Sequence, residues 1–324
     1  MIEISIVIPF FNAEQTLLRC LNSLLEQNYQ TFVVYLIDDG SDDKSNEICK
    51  LYCEKDSRFK YFYQKNNGVS SARNQGLLYA MNSDFVTFID ADDSIEPNHL
   101  QSFINKIQET NKQVDLIVSG YKQLKDDIST EFSHENCYIT LEKFVNRSLE
   151  DKSIYGYVWN KFFRTEVINK YNISFNKDIH IAEDLLFVIE YATHARGICF
   201  ISESHYLYYI TSTSAIGSDI NRNNFLSKIT ILEAHKKILS ILENIDRNAY
   251  MTLTNKMVLK ASAFYRIGIV NEIPDEIVNS LKNTAEKYHK QSNLSFVEQI
   301  KYSMNIYLPR LVEFLKKLKG VVNI

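Results

Sequence analysis

Short apolar runs rich in β-branched and aromatic residues recur along the N-terminal part of the chain: Ile4–Pro9, Val33–Ile37, Phe59–Tyr63 and Phe85–Ile89. A helical pattern separates each from the next. Between the first two, Leu17, Leu21, Leu24 and Leu25 form one stripe, and Asn12 followed by Gln15 has the form of a capping box opening that helix. Ser41 is placed to cap the second helix, with Asp42 and Asp43 at its positive end. Ser70–Met81 reads as a third helix, and Val114–Ser119 as a fifth strand after another helix. Buried strands alternating with helices at this pace pair through crossovers, which predicts an α/β fold with a doubly wound, mostly parallel sheet flanked by helices.

Beyond about residue 135 the alternation loosens. Trp159-Asn160-Lys161 precedes a helix near Arg164–Lys170, and another helix begins at Glu183-Asp184, with Leu185, Ile189 and Ala192 turned inward. Short strands follow near Ile198 and at Tyr206–Ile210. From Asn223 the pattern is helical throughout, and Ser295 with Glu298 forms a capping box. The expected division is a catalytic domain over 1–215 and a C-terminal helical region over 216–324.

Composition narrows the function. A net charge of −4 gives no global positive field, so nucleic-acid partners are not expected. No apolar run approaches the roughly 20 residues needed to cross a bilayer, and no signal peptide is read at the N-terminus. Five cysteines at irregular spacing fit a reducing cytosol, with neither a disulfide framework nor zinc spacing. The expected setting is cytoplasmic.

In open α/β sheets, ligands bind beyond the carboxyl ends of the strands. Two acidic clusters fall there: Asp38-Asp39 after the second strand, and Asp90, Asp92 and Asp93 after the fourth. In extended chain, residues two apart point the same way at about 7 Å, where bare carboxylates repel by roughly 2 kcal/mol at an effective dielectric of about 20. A bound divalent cation reverses that sign. An EF-hand loop starting at Asp90 would need Gly and Glu where the chain has Ile95 and Gln101. Mg²⁺ or Mn²⁺ shared with substrate phosphates fits better, and no glycine-rich phosphate loop is present. Phosphate charge then falls to the cation, to helix N-termini and to cationic side chains such as Arg73, at the start of the third helix.

Strand-Pro9-Phe10-Phe11-Asn12, Asp38-Asp39-Gly40-Ser41, Gly68 to Ala72-Arg73-Asn74, Asp90-Ala91-Asp92-Asp93 and Glu183-Asp184, in that order, resemble the motifs of inverting family 2 glycosyltransferases with the GT-A fold. The resemblance covers about residues 1–210. It implies that the loop after strand one (Pro9, Phe11, Asn12, Glu14) and Asp39 hold the nucleotide base, with Arg73 approaching the nucleotide. It implies further that Asp90-Ala91 lies near the sugar and that Asp92 or Asp93 ligates the cation. Glu183-Asp184 matches the catalytic pair, with Glu183 at the substrate and Asp184 as general base. Trp159 and Lys161 resemble an acceptor-side Trp-x-Lys, although an aromatic core anchor with a snorkelling lysine has the same appearance. His180, four residues before Asp184, is read as structural. Phe10-Phe11 departs from the tyrosine frequent in relatives.

The implied activity is transfer of a sugar from a nucleotide-sugar donor, a UDP-sugar, to a hydroxyl of a surface glycan or lipid-linked saccharide, with inversion. The alternatives are an inactive glycan-binding or scaffolding subunit of a polysaccharide-assembly complex and a sugar-phosphate nucleotidyltransferase. Asp92 and Asp184 argue against the first. The absence of a Gly-rich basic loop after strand one argues against the second. From residue 290 onward six cations face two acids, and Leu311, Phe314, Leu315 and Leu318 fall on one helical face. Segment 309–324 is therefore expected to lie on an anionic inner-membrane surface, or to dock on its own domain or on a twin subunit in a homodimer formed by the C-terminal helices.

Overall fold

The computed structural model describes residues 1–111, 113–126, 128–151, 153–210, 220–312 and 315. It divides into two compact units, Met1–Lys177 with Glu183–Ala215, and Asp178–Ala182 with Ile216–Ile324.

The first unit begins β1 (Ile4–Phe10), α1 (Leu17–Leu25), β2 (Phe32–Asp38), α2 (Ser45–Lys55), β3 (Phe59–Tyr63), α3 (Val69–Ala80) and β4 (Phe85–Phe88). It continues β5 (Ser94–Ile95), α4 (His99–Glu109), β6 (Leu116–Val118), β7 (Tyr121–Lys125), β8 (Ile128–Phe132), β9 (Cys137–Ile139) and α5 (Leu141–Glu150). It closes with β10 (Lys161–Arg164), α6 (Thr165–Tyr171), α7 (Glu183–His194), β11 (Ile198–Phe200) and β12 (Tyr206–Tyr209).

Eight strands form the main sheet in the order β3-β2-β1-β4-β10-β6-β11-β9. The pairs β1–β2, β1–β4, β2–β3 and β11–β6 are parallel, whereas β10 runs antiparallel to β4 and β6. Side chains two apart share a face. Ile4, Ile6 and Ile8 enter one core with Leu17, Leu21 and Leu24 of α1 and Phe103 and Ile107 of α4. Val7 enters the opposite core, with Ala72 and Leu77 of α3 and Phe187 and Tyr191 of α7. Phe162 and Phe163 divide in the same way. Helices thus cover both faces, and the parallel β1, β2 and β4 deliver their carboxyl ends to one edge. A second sheet, β5-β12-β7-β8, carries Tyr206 through Tyr209 on β12.

Local corrections concern the ends of elements. Asn12 does not open α1: its φ is +50° and its side chain accepts from Asp42 N, so the helix starts at Leu17 without a side-chain cap. Ser41 does not cap α2, because its hydroxyl accepts from Asn12 N and the helix starts at Ser45. The segment before α6 contains β10, and the strand expected over 114–119 is confined to Leu116–Val118.

The second unit is helical: α8 (Phe225–Ile229), α9 (Ile231–Leu242), α10 (Arg247–Val270), α11 (Asp275–His289) and α12 (Phe296–Tyr307). Helix α10 packs against α9, α11 and α12. The Ser295–Glu298 capping box at α12 is formed. Among the described residues no helix is long and apolar enough to cross a membrane. Most of the amphipathic segment 309–324 lies outside the described residues, and with it the expected membrane or dimer contact.

Candidate functional site

The loops after β1 and β2 are fastened to each other. Asn12 N and Ala13 N donate to Ser41 Oγ and Ser45 Oγ at 3.0 and 2.9 Å, and Glu14 N donates to Asp43 at 3.0 Å. In return Asp42 N and Lys44 N donate to the side chains of Asn12 and Glu14 at 2.9 and 3.1 Å. Pro9 is buried in β1, while Phe11 is 51% exposed. Asn12 and Glu14 are exposed too, so a flat ligand has an open rim to meet here.

Asp38 and Asp39 are both buried, for different reasons. Asp38 accepts from Ser41 N and Tyr61 Oη, each at 2.8 Å, and is structural. Asp39 accepts from Gln64 Nε2 (2.7 Å), Asn67 N (2.9 Å) and Gly68 N (2.8 Å). Gly68 turns the chain into α3 with φ +85°, a conformation that suits glycine. Asp39 therefore sets the turn that aims α3, and α3 carries Arg73.

Arg73 is the hub of the site. Its buried guanidinium donates to Glu183 Oε1 at 2.9 Å and reaches Asp90 Oδ1 at 3.5 Å, beside the Phe175 ring. Burial works against its charge, but Asp90, Glu183 and Asp184 together outweigh it and hold the group above its ordinary value. Its Nε is buried without a partner among the described residues. The next residue, Asn74, clamps the backbone of Phe175 through two 2.8 Å bonds.

Asp184 keeps some exposed surface at the start of α7 and accepts from Leu185 N at 2.7 Å. Burial, and then Glu183, push its carboxyl up to about 7, against the pull of Arg73 and Lys161. A carboxyl poised near neutrality suits a general base.

Carboxylate oxygens of Asp90, Asp92 and Asp93 lie within 4.8 Å of one another. Asp93 is fully buried: its oxygens accept from Tyr206 Oη (2.7 Å) and Tyr209 N (2.9 Å). Tyr206 Oη also accepts from Asp90 N at 3.3 Å. Burial, and then Asp90, raise the carboxyl of Asp92; burial, Asp90 and Asp92 raise that of Asp93. The repulsion expected from the spacing is thus present. Hard oxygen donors at this separation fit Mg²⁺ or Mn²⁺. Asp90 and Asp92 keep the more open carboxylates, Ala91 is buried between them, and each Asp93 oxygen already accepts one hydrogen bond from the fold. Arg19 of α1 adds a bond to the Asp92 carbonyl and stacks on Tyr209 at 3.7 Å.

Two residues expected on the acceptor side are buried. Trp159 is almost wholly buried between Tyr157 and Tyr206. Lys161 is fully buried, and its Nζ donates to the carbonyls of Ile154, Tyr155 and Tyr157 and to Asn160 Oδ1. Burial pushes its pKa down to about 7, while Asp184 favours the charge. With four oxygens around its ammonium, Lys161 has the surroundings of a buried strut, and Trp159 those of a core aromatic. Conversely, sequence reasoning missed Tyr206 and Arg19. The alternation in Tyr206-Leu207-Tyr208 placed two tyrosines on one face, but nothing in the sequence tied that face to Asp93.

The open α/β sheet thus places a basic hub, Arg73, between a carboxylate cluster and the raised carboxyl of Asp184. Residues 5–171 match the family described as Glycosyl transferase family 2, and the chain belongs to that family. It is 29% identical over 210 residues to the uncharacterized glycosyltransferase EpsJ of Bacillus subtilis, covering 63% of this chain and 60% of that protein. Staphylococcus aureus TarS 1–349 in complex with UDP superposes with a TM-score of 0.64 at 20% identity, covering 94% and 89% of the two chains. The mannosyltransferase PcManGT of Pyrobaculum calidifontis, in complex with GDP-Man and Mn²⁺, superposes at 0.52 with 13% identity, covering 96% and 86%. This chain shares the GT-A architecture with the two solved structures.

Proposed function

We propose that the chain is a metal-dependent inverting glycosyltransferase, with a UDP-sugar as donor and Asp184 as base. The observation that carries this reading is the position of Arg73, whose guanidinium reaches both Asp90 at the end of β4 and Glu183 beside Asp184. One side of that hub is suited to a nucleotide diphosphate and the other to proton removal.

Asp184 takes the proton of the acceptor hydroxyl as that oxygen attacks the anomeric carbon. The bond from that carbon to the diphosphate oxygen breaks, its electron pair leaving with the phosphate, and the configuration inverts. Asp90 and Asp92 would hold Mg²⁺ or Mn²⁺, which when bound supplies neutralisation of the charge on the departing diphosphate. Glu183 holds Arg73 in place, and Arg73 lends its remaining donors to the donor side. The strapped loops 11–14 and 39–44, with Pro9, Phe11, Asn12, Glu14 and Asp39 along them, form the base-binding rim.

Calorimetric titration with UDP, with and without Mn²⁺, tests this directly, followed by a panel of UDP- and GDP-sugars scored for metal-dependent hydrolysis without acceptor. Expected are Mn²⁺-dependent UDP binding and release of UDP from at least one sugar. Equal affinity in EDTA and in Mn²⁺ would sink the proposal.

A further inference from the structure

The segment that carries Asp90, Asp92 and Asp93 is fastened to α1 along its backbone. Cys20 Sγ donates to Asp90 O at 3.8 Å, and Arg19 Nη2 donates to Asp92 O. One turn further on, Ser23 Oγ accepts from Ile95 N at 3.2 Å. Gln27, just past the helix, donates to Glu96 O at 2.9 Å and accepts from Leu100 N at 3.1 Å. Residues 19–20, 23 and 27 follow the spacing of one helical face, so α1 lies like a ruler against residues 90–100.

Cys20, Ser23 and Gln27 are buried, and holding the fold accounts for them. Arg19 differs. Its charge reaches the Asp92 carboxyl, where it opposes the rise caused by burial and Asp90. Yet among the described residues it forms no ion pair with any acid. Its guanidinium lies instead on the Tyr209 ring, 3.7 Å from the centroid, and its Nε is buried without a partner among the described residues. That orphaned donor adds a cost, so hydrogen bonding within the fold does not explain the placement. Tyr209 in turn donates its backbone N–H to Asp93 Oδ1 at 2.9 Å, and its hydroxyl accepts from Ser94 Oγ at 3.3 Å. Arg19 from α1 and Tyr209 from β12 thus close on the same three residues.

A guanidinium paired with a carboxylate would occupy oxygens that a cation needs. Bonded to a carbonyl and pinned flat on a ring, it takes no carboxylate oxygen while offsetting part of the repulsion among the three acids. We propose that Arg19 is a positioning residue for the cation: with Tyr209 it fixes the Asp92–Ser94 backbone, so that the Asp90 and Asp92 carboxylates stay gathered before an ion arrives. Without that clamp their repulsion would spread the loop, and ion binding would have to reassemble it. The inference rests on the reading of Asp90 and Asp92 as the ligands.

Charge and position predict opposite signs. Were Arg19 only a nearby charge, Arg19→Gln would tighten Mn²⁺ binding by removing a repulsion. As a positioning residue its loss should weaken binding about tenfold, the worth of one hydrogen bond between a charged and a neutral group. Mn²⁺ is titrated into the full chain with saturating UDP, and the bound ion is read from loss of the free-ion electron paramagnetic resonance signal. Urea midpoints on the same samples without metal show that each variant is folded. Tyr209→Leu, which removes the ring but keeps the backbone donor, should also weaken Mn²⁺ binding by about threefold or more. Arg19→Lys keeps the charge but not the flat face, and should stay at least about threefold weaker than wild type. Unchanged or tighter Mn²⁺ binding in any folded variant of the three overturns the proposal, whatever its urea midpoint. Wild-type protein decides the layer beneath: if it takes up Mn²⁺ and the variants match it, only the role of Arg19 falls, and if it takes up none, the metal reading falls as well.

Discussion

Arg73 and Glu183 lie 110 residues apart in sequence and meet through a buried 2.9 Å bond between Nη1 and Oε1. This contact, with the weaker arm to Asp90, unites the β4 end of the site with the α7 end. Arg73→Met should leave Glu183 as a buried charge without its partner, at a cost of about 3–5 kcal/mol in urea unfolding. Glu183→Gln in the same background should recover part of that loss, giving a coupling on the order of 1–3 kcal/mol. Simple additivity of the two changes would mean that the pair is not a unit.

Asp184 is expected to make transfer and stability respond oppositely to pH. Its carboxyl is pushed up to about 7 by burial and by Glu183. As base it must be ionised, so kcat/KM should fall about tenfold per pH unit below that value and level off above it. For stability the sign reverses. Between the ordinary carboxyl range and about 7, the native state holds a proton that the unfolded chain has lost, so this group's contribution declines as pH rises through the window. Asp184→Asn should lower kcat by about 10²–10⁴-fold and flatten the stability slope over the same interval. Parallel rate and stability profiles would refute the assignment.

The acids after β4 should separate into metal-holding and structural roles. Asp92→Asn is expected to weaken Mn²⁺-dependent UDP binding by about tenfold or more, as measured by calorimetry. Asp93→Asn disturbs bonds from Tyr206 and Tyr209 N instead, and should cost about 1–3 kcal/mol of stability while Mn²⁺-dependent UDP binding persists. Tyr206→Phe should share the stability loss of Asp93→Asn, because it leaves the same buried carboxylate short of a donor.

Strand ends were readable because burial on both faces forces continuous apolar runs, and acids directly after such runs mark the ligand edge. Asn12 and Ser41 misled because a capping pattern records only local chemistry, whereas their side chains pair across the two strand-end loops. Strand β10 is only four residues long, and its place between β4 and β6, antiparallel to both, is a tertiary fact. Tyr206 meets Asp93 across 113 residues, a pairing that no periodicity encodes. Lys161 illustrates the general difficulty: a lysine beside a tryptophan is as ready to bind a ligand as to be buried, and only the surrounding carbonyls decide.

Those carbonyls make the lysine testable. Lys161→Met keeps the length of the side chain but leaves the acceptors at Ile154, Tyr155 and Tyr157 facing no donor. Buried acceptors without donors cost about 1–3 kcal/mol each, partly relieved by relaxation, so a total loss of about 3–5 kcal/mol is expected by urea unfolding. Lys161→Arg should be destabilising as well, because a planar guanidinium is too large and too flat for four oxygens gathered around one ammonium. A lysine that touched the acceptor directly would behave otherwise: stability would stay near wild type and only the acceptor KM would rise. Chemical denaturation of the two variants, read by Trp159 fluorescence, therefore distinguishes a strut beneath the Tyr155–Tyr157 segment from a hand on the substrate.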